Sequence, residues 1–105
     1  MIIRSWGATA TAEGADRYQA HFTEAVLPSL RRLNGFKGAY VLRQVATGDR
    51  AVLKDLTFWD SLDAIQAFSG LDLSKAIVDP AARTFLLDYD ATVSHYVIEV
   101  DTLSR

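Results

Sequence analysis

VLKDLTFWDSLDAIQAF, residues Val52 to Phe68, turns from strand to helix with almost no loop between them. Val52 to Trp59 is predicted as a strand because it holds Val, Leu, Thr, Phe and Trp and lacks Gly and Pro. Behind it, Asp60 or Ser61 offers a side-chain oxygen to the first N–H groups of a helix, and Leu62, Ile65 and Phe68 recur at helical spacing. Such a junction fixes the helix axis against the sheet. Trp59 therefore falls where strand, helix and any cavity between them meet, and is expected in the floor of a small-molecule pocket.

The rest of the chain builds around this junction. Ile2 to Ala8 is predicted as a first strand, with Ile2, Arg4 and Trp6 on one face. Thr9 or Thr11 then caps a helix whose first turn carries Glu13 and Asp16 and which runs to about Leu33. Its buried stripe is Ala15, Tyr18, Phe22, Ala25, Val26, Leu30 and Leu33, with Arg17, His21, Glu24 and Arg31 outside it. Pro28 removes a backbone hydrogen bond and predicts a bend, and Asn34-Gly35 ends the helix. Phe36 to Val45 and the strand ending at Trp59 form a hairpin through Thr47-Gly48-Asp49-Arg50. The helix after Trp59 stops near Ser69-Gly70. A short helical piece from Asp72 to Val78 follows, closed by Asp79-Pro80. Phe85 to Leu87 is read as briefly extended, Ala91 to Val100 as the last strand, and Asp101 to Arg105 as a loose tail.

At 105 residues the chain has the size of a single domain, residues 1–105. The formal net charge of −2 gives no field that draws nucleic acid or anionic lipid, so neither is an expected partner. The absence of cysteine excludes disulfides, thiolate metal sites and a cysteine nucleophile. His21 and His95 stand far apart without a ligand pattern around them, so no metal is expected. The run MIIRSWGATA is too short an apolar stretch for a signal peptide, and no apolar run is long enough to span a bilayer. A soluble cytoplasmic protein is expected.

Strand, helix, strand, strand, helix, strand with right-handed crossovers gives an α+β split βαβ sandwich: a four-stranded antiparallel sheet with both helices on one face. Alternation nevertheless makes both sheet faces apolar, with Leu53 and Trp59 opposing Val52, Leu56 and Phe58, and Val93 and Val97 opposing Tyr96, Ile98 and Val100. Two helices cover only one side, so a homodimer through the helix-free sheet faces is expected.

The chain resembles the antibiotic biosynthesis monooxygenase family of the dimeric α+β barrel superfamily. The likeness rests on FWDSLDAI (Phe58 to Ile65), Gly35-Phe36, GLDLSKA (Gly70 to Ala76) with Pro80, and VSHY (Val93 to Tyr96). It implies a ferredoxin-like fold, a ligand cavity on the helix side of the sheet, and cofactor-independent oxidation of a small aromatic or polyketide-like substrate by dioxygen. In the family's best-known members a Trp ends the third strand, with an Asn four residues before it and a Tyr six after. Here those positions hold Trp59, Asp55 and Ile65. The related haem-degrading pattern asks for an Asn on the first strand and a Trp on the second helix with a His soon after. This chain has Phe68 on that helix and no His between positions 22 and 94, so haem degradation is not implied.

The candidate catalytic residues are His95, Arg4 and Asp55, and the candidate substrate-binding residues are Trp6, Trp59 and Phe68. His95 is either a satisfied structural histidine or a general base, since an unperturbed imidazole titrates at about 6.5. Ser94 points to the opposite face and forms no dyad with it. Arg4 and Asp55 lie on neighbouring strands, where they either pair or hold an oxyanion. Trp59 reads as core or as pocket wall, and His21 as solvent-facing and without a role. Lys37 to Val41 echoes an RNA-recognition signature on the wrong strand and without a basic surface. The alternative to an oxygenase is a non-catalytic dimer that binds a hydrophobic ligand or serves a stress response.

Overall fold

A computed structural model describes residues 1–45 and 48–103. Its centre is β3 (Ala51–Trp59), which lies between β2 (Phe36–Arg43) and β1 (Ile2–Ala10). All pairings are antiparallel. The strand-to-helix junction forms as its sequence predicts. The Asp60 N–H donates to the Gly35 carbonyl at 2.8 Å, and the Ser61 hydroxyl accepts from the Ala64 N–H to start α3 (Leu62–Ser69). Gly35 has a φ of +87°, and a Cβ there would meet that of Ala64 at 2.5 Å, so glycine is what lets this turn lie against α3.

Thr11, rather than Thr9, caps α1 (Ala12–His21), accepting from the Gly14 N–H at 2.9 Å. Ahead of Pro28, where a bend was expected, the helix has a π-helical turn, Phe22–Val26, and α2 (Leu27–Arg31) continues from it. The Leu27 N–H reaches back to the Phe22 carbonyl. Pro28 thus falls in the first turn of α2, directly after the π turn. The extra residue in the π turn also shifts the phase of the buried stripe. Ala25, expected inside, is exposed, while Val26, Leu27 and Leu33 pack against the buried Phe22, Leu30, Trp59 and Ile65. A second cluster, Ala10, Ala15, Tyr18, Ala51, Leu53 and Ala82, fills the other end of the same sheet face.

The C-terminal third departs most from expectation. Asp72 to Val78 is not a helix: the Asp72 carboxylate accepts from the Ser74 N–H and hydroxyl, and the chain then runs extended as a strap. The Ala76 N–H donates to the Ala91 carbonyl, the Val93 N–H donates to the Ser74 carbonyl, and Lys75 bridges Thr92. Backbone pairing with residues 91–93 has won over the helical periodicity. Asp79 and Pro80 open a short helix, α4 (Pro80–Arg83), instead of closing one, with Asp79 accepting from the Ala81 N–H.

Phe85 belongs to the turn that ends α4, and the extended piece is β4 (Asp88–Tyr89). The last strand is confined to β5 (Ser94–Val97), because residues 91–93 turn away to pair with the strap. β4 and β5 both pair with β1, so two short strands share the expected fourth position and the sheet has 5 strands. β2 ends at Arg43, short of Val45. Ala46, Thr47 of the expected hairpin turn, and Ser104 and Arg105 of the expected tail lie outside the described residues. Among the described residues no helix is long and apolar enough to cross a membrane.

Candidate functional site

Register determines which side chains meet. Trp6 pairs with Asp55, Arg4 with Thr57 and with His95, and Ile2 with Trp59. Residues paired across antiparallel strands share a face, so Arg4, Trp6, Asp55, Thr57, Trp59 and His95 all stand on the side that carries the helices. There, between the sheet, α1, α2, α3 and the strap, lies a cavity of about 80 Å³. Arg4, Trp6, Asp55 and Phe68 of the expected set line it. Tyr18, Phe22, Val26 and Leu30 from the helical stripe join them, with Ile77, Val78 and Asp79 from the strap.

Trp59 does not line the cavity. It is 0% exposed, wedged edge-on against Phe36 and stacked on Phe68 at 5.8 Å, with its indole N–H donating to Thr57 Oγ1 at 2.8 Å. A strand-end position could not reveal that Phe68 would stand between Trp59 and the cavity. Trp59 supports two lining residues from behind.

Arg4, 5% exposed, does not pair with Asp55. Its Nη1 donates to the Leu73 carbonyl and its Nη2 to the Lys75 carbonyl, each at 2.7 Å, so it pins the strap to the sheet. Nη1 also lies 3.1 Å from His95 Nε2, and the guanidinium carbon sits 5.7 Å from the centre of the Phe68 ring. A guanidinium only donates, so Nε2 of His95 accepts and the proton of the neutral ring is on Nδ1. Burial, then the Arg4 charge, holds the His95 pKa below its usual value. His95 is thus a neutral imidazole whose basic nitrogen is already engaged, a poor arrangement for a general base. Burial lowers the Arg4 pKa as well, but a guanidinium keeps its charge.

Asp55 has a different environment. It is 8% exposed, the Tyr18 hydroxyl donates to its Oδ2, and its Oδ1 is buried without a hydrogen-bond partner among the described residues. Burial pushes the carboxyl up to about 7, against the opposing pull of the Tyr18 hydrogen bond. Burial, followed by the Asp55 charge and the shared hydrogen bond, raises the Tyr18 phenol far above its ordinary range. A carboxyl that titrates near neutrality in an apolar wall can take up or release a proton at physiological pH. Tyr18 was visible in the sequence only as one more member of the helical stripe.

His21, expected in solvent, is partly buried. Its ring meets Phe85 edge-on at 6.0 Å, and Nε2 lies 3.3 Å from Asp79 Oδ2 without the alignment of a hydrogen bond. Among the described residues no group of 3 or more His, Cys, Asp or Glu side chains is placed to hold a metal ion.

Solved structures share this architecture across the whole chain. The ActVA-Orf6 monooxygenase of Streptomyces coelicolor, solved with nanaomycin D, superposes with a TM-score of 0.72 at 16% identity, covering 99% of this chain and 92% of that one. SnoaB, a cofactor-independent oxygenase of Streptomyces nogalater, gives 0.62 at 11% identity, with 98% of each chain covered. The haem degrader MhuD of Mycobacterium tuberculosis, with two haems in its active site, gives 0.62 at 18% identity, covering 97% of this chain and 99% of that one. At such identities the likeness is one of fold. No curated protein matches the sequence. A family model for antibiotic biosynthesis monooxygenases does match, over residues 1–80, which takes in β1, β3, the junction at Trp59 and Asp55 itself, and by that match the chain belongs to the antibiotic biosynthesis monooxygenase family.

Proposed function

We propose that the chain is a single-domain, cofactor-independent monooxygenase of the cytoplasm that oxidises a small aromatic or polyketide-like compound, working as a homodimer through its helix-free sheet faces. The observation that carries the reading is Asp55, a buried carboxyl pushed up to about 7 in the wall of an apolar cavity. Chemistry of this kind asks little of a protein: a dry cavity, a base, and a donor for the oxygen on which negative charge develops.

Asp55 takes the base role that the sequence reading gave to His95. It accepts a proton from an activated methylene group of the substrate, and the electron pair left behind passes to dioxygen, forming a carbon–oxygen bond. Loss of water then breaks the oxygen–oxygen bond and leaves a carbonyl, so that one methylene group and one dioxygen become one ketone and one water. Arg4 lines the cavity and retains Nε–H and one Nη2–H beyond its strap and His95 contacts, donors left for the enolate oxygen. Trp6 and Phe68 grip the ring, while Trp59 backs Phe68.

Oxygen uptake with a panel of anthrones and hydroquinones tests the reading. Asp55→Asn is expected to lower the rate by about 10²–10⁴-fold, the usual worth of a general base, and His95→Ala by much less. Equal rates for wild type and Asp55→Asn would remove Asp55 as base. No uptake with any compound would move the assignment to a non-catalytic ligand-binding dimer.

A further inference from the structure

Tyr18 connects the helix layer to the candidate base. Its ring is 5% exposed and packs at 6.1 Å from Trp6, the cross-strand partner of Asp55. Trp6 is itself fixed by its indole N–H, which donates to the Asp90 carbonyl at 2.7 Å. The phenol is therefore held from β1 and aimed at Asp55 Oδ2 from α1.

We propose that Tyr18 is a positioning residue: its hydroxyl, bound to Oδ2, fixes the Asp55 carboxyl in the cavity wall and leaves Oδ1 as the atom that accepts the substrate proton. The inference rests on the reading of Asp55 as the base. A carboxyl buried with neither oxygen bonded would rotate freely between two equivalent oxygens and would hold its proton well into the alkaline range. With one oxygen bonded, the orientation is set and the anion is stabilised. The hydroxyl is the opposing pull that keeps Asp55 from rising further under its burial.

The other ionisable groups in the same cavity are Arg4 on β1 and Asp79 ahead of α4, while the β2 residue paired with Asp55 is the neutral Val41. His95 reaches the cavity only through Arg4. All of these remain in Tyr18→Phe, so that variant isolates the hydroxyl.

The test follows the Asp55 carboxyl carbon by NMR through a pH titration, and needs no substrate. In Tyr18→Phe the midpoint is expected to rise by about one to two pH units, the worth of a hydrogen bond to a charged group. Replacement of Tyr18 by 3-fluorotyrosine keeps the ring and strengthens the donor, so the midpoint is expected to fall, and it decides alone should Tyr18→Phe not fold. A midpoint that stays or falls in folded Tyr18→Phe, or that does not fall with fluorotyrosine, overturns the proposal. Shifted midpoints together with no oxygen uptake would remove the oxygenase reading and leave the Tyr18–Asp55 pair standing.

Discussion

A carboxyl raised from 3.8 to about 7 makes folding stability depend on pH in a direction opposite to that of a salt-bridged aspartate. Between those two values folded Asp55 keeps its proton while the unfolded chain has released it. Folding is therefore weakened as pH rises through this window, by at most about 4 kcal/mol, and the loss persists at higher pH. The family's best-known members carry Asn at this position, and Asn cannot titrate. The urea midpoint of the wild type is thus expected to fall between about pH 4 and about pH 7, and Asp55→Asn to flatten that fall. Equal falls in the two proteins would mean that Asp55 titrates normally. The faces of Arg4, Trp6 and Asp55 could be read from strand alternation alone, because a period of two leaves no other choice. The partner of Asp55 could not, since nothing in a helical stripe says which member turns a polar end toward a carboxyl.

At the scale of elements, the cavity depends on how the strap is held. About 80 Å³ is less than the roughly 150 Å³ cavity known to take a single benzene ring, so an aromatic substrate needs more room than this cavity offers. The strap is a wall without regular secondary structure, and Ile77, Val78 and Asp79 are its contribution to the lining. Arg4 fastens it through the Leu73 and Lys75 carbonyls. Arg4→Met keeps much of the stem and removes both bonds. The amides of Ala76 and Val93, which donate across the strap, are then expected to exchange with solvent at least about tenfold faster, while those of β3 change little. Unchanged exchange at Ala76 and Val93 would show that Arg4 does not restrain the strap. DLSKAIV, Asp72 to Val78, reads as helical because its periodicity is local. Its extended form is set by backbone partners at residues 91–93 that are distant in sequence, and that is also why the partners of Arg4 were not legible. The junction at Trp59 was legible, since strand propensity, cap and helical spacing follow one another within a few residues.

The whole molecule leaves one sheet face without helices. Ile3, Tyr40, Phe58 and Ile98, with Met1 and the Val100–Leu103 end, line a groove of about 610 Å³ there, and Tyr40 packs edge-on against Phe58 at 5.3 Å. Tyr40 is 50% and Tyr96 57% exposed, more aromatic surface than an isolated domain of this size ordinarily shows to water. A second copy placed by a two-fold axis covers the same residues on both partners at once, which closes the assembly and leaves no apolar face to propagate. The proposed dimer is expected to bury more than roughly 1,000 Å² in total and to give twice the chain mass by light scattering at micromolar concentration. Tyr40→Asp tests the face directly. Half-exposed in the single chain, Tyr40 contributes little to the fold, but two new carboxylates would be desolvated in a symmetric interface, so the variant is expected to remain folded and run as a monomer. Wild type at monomer mass removes the dimer, and Tyr40→Asp at dimer mass moves the interface off this face.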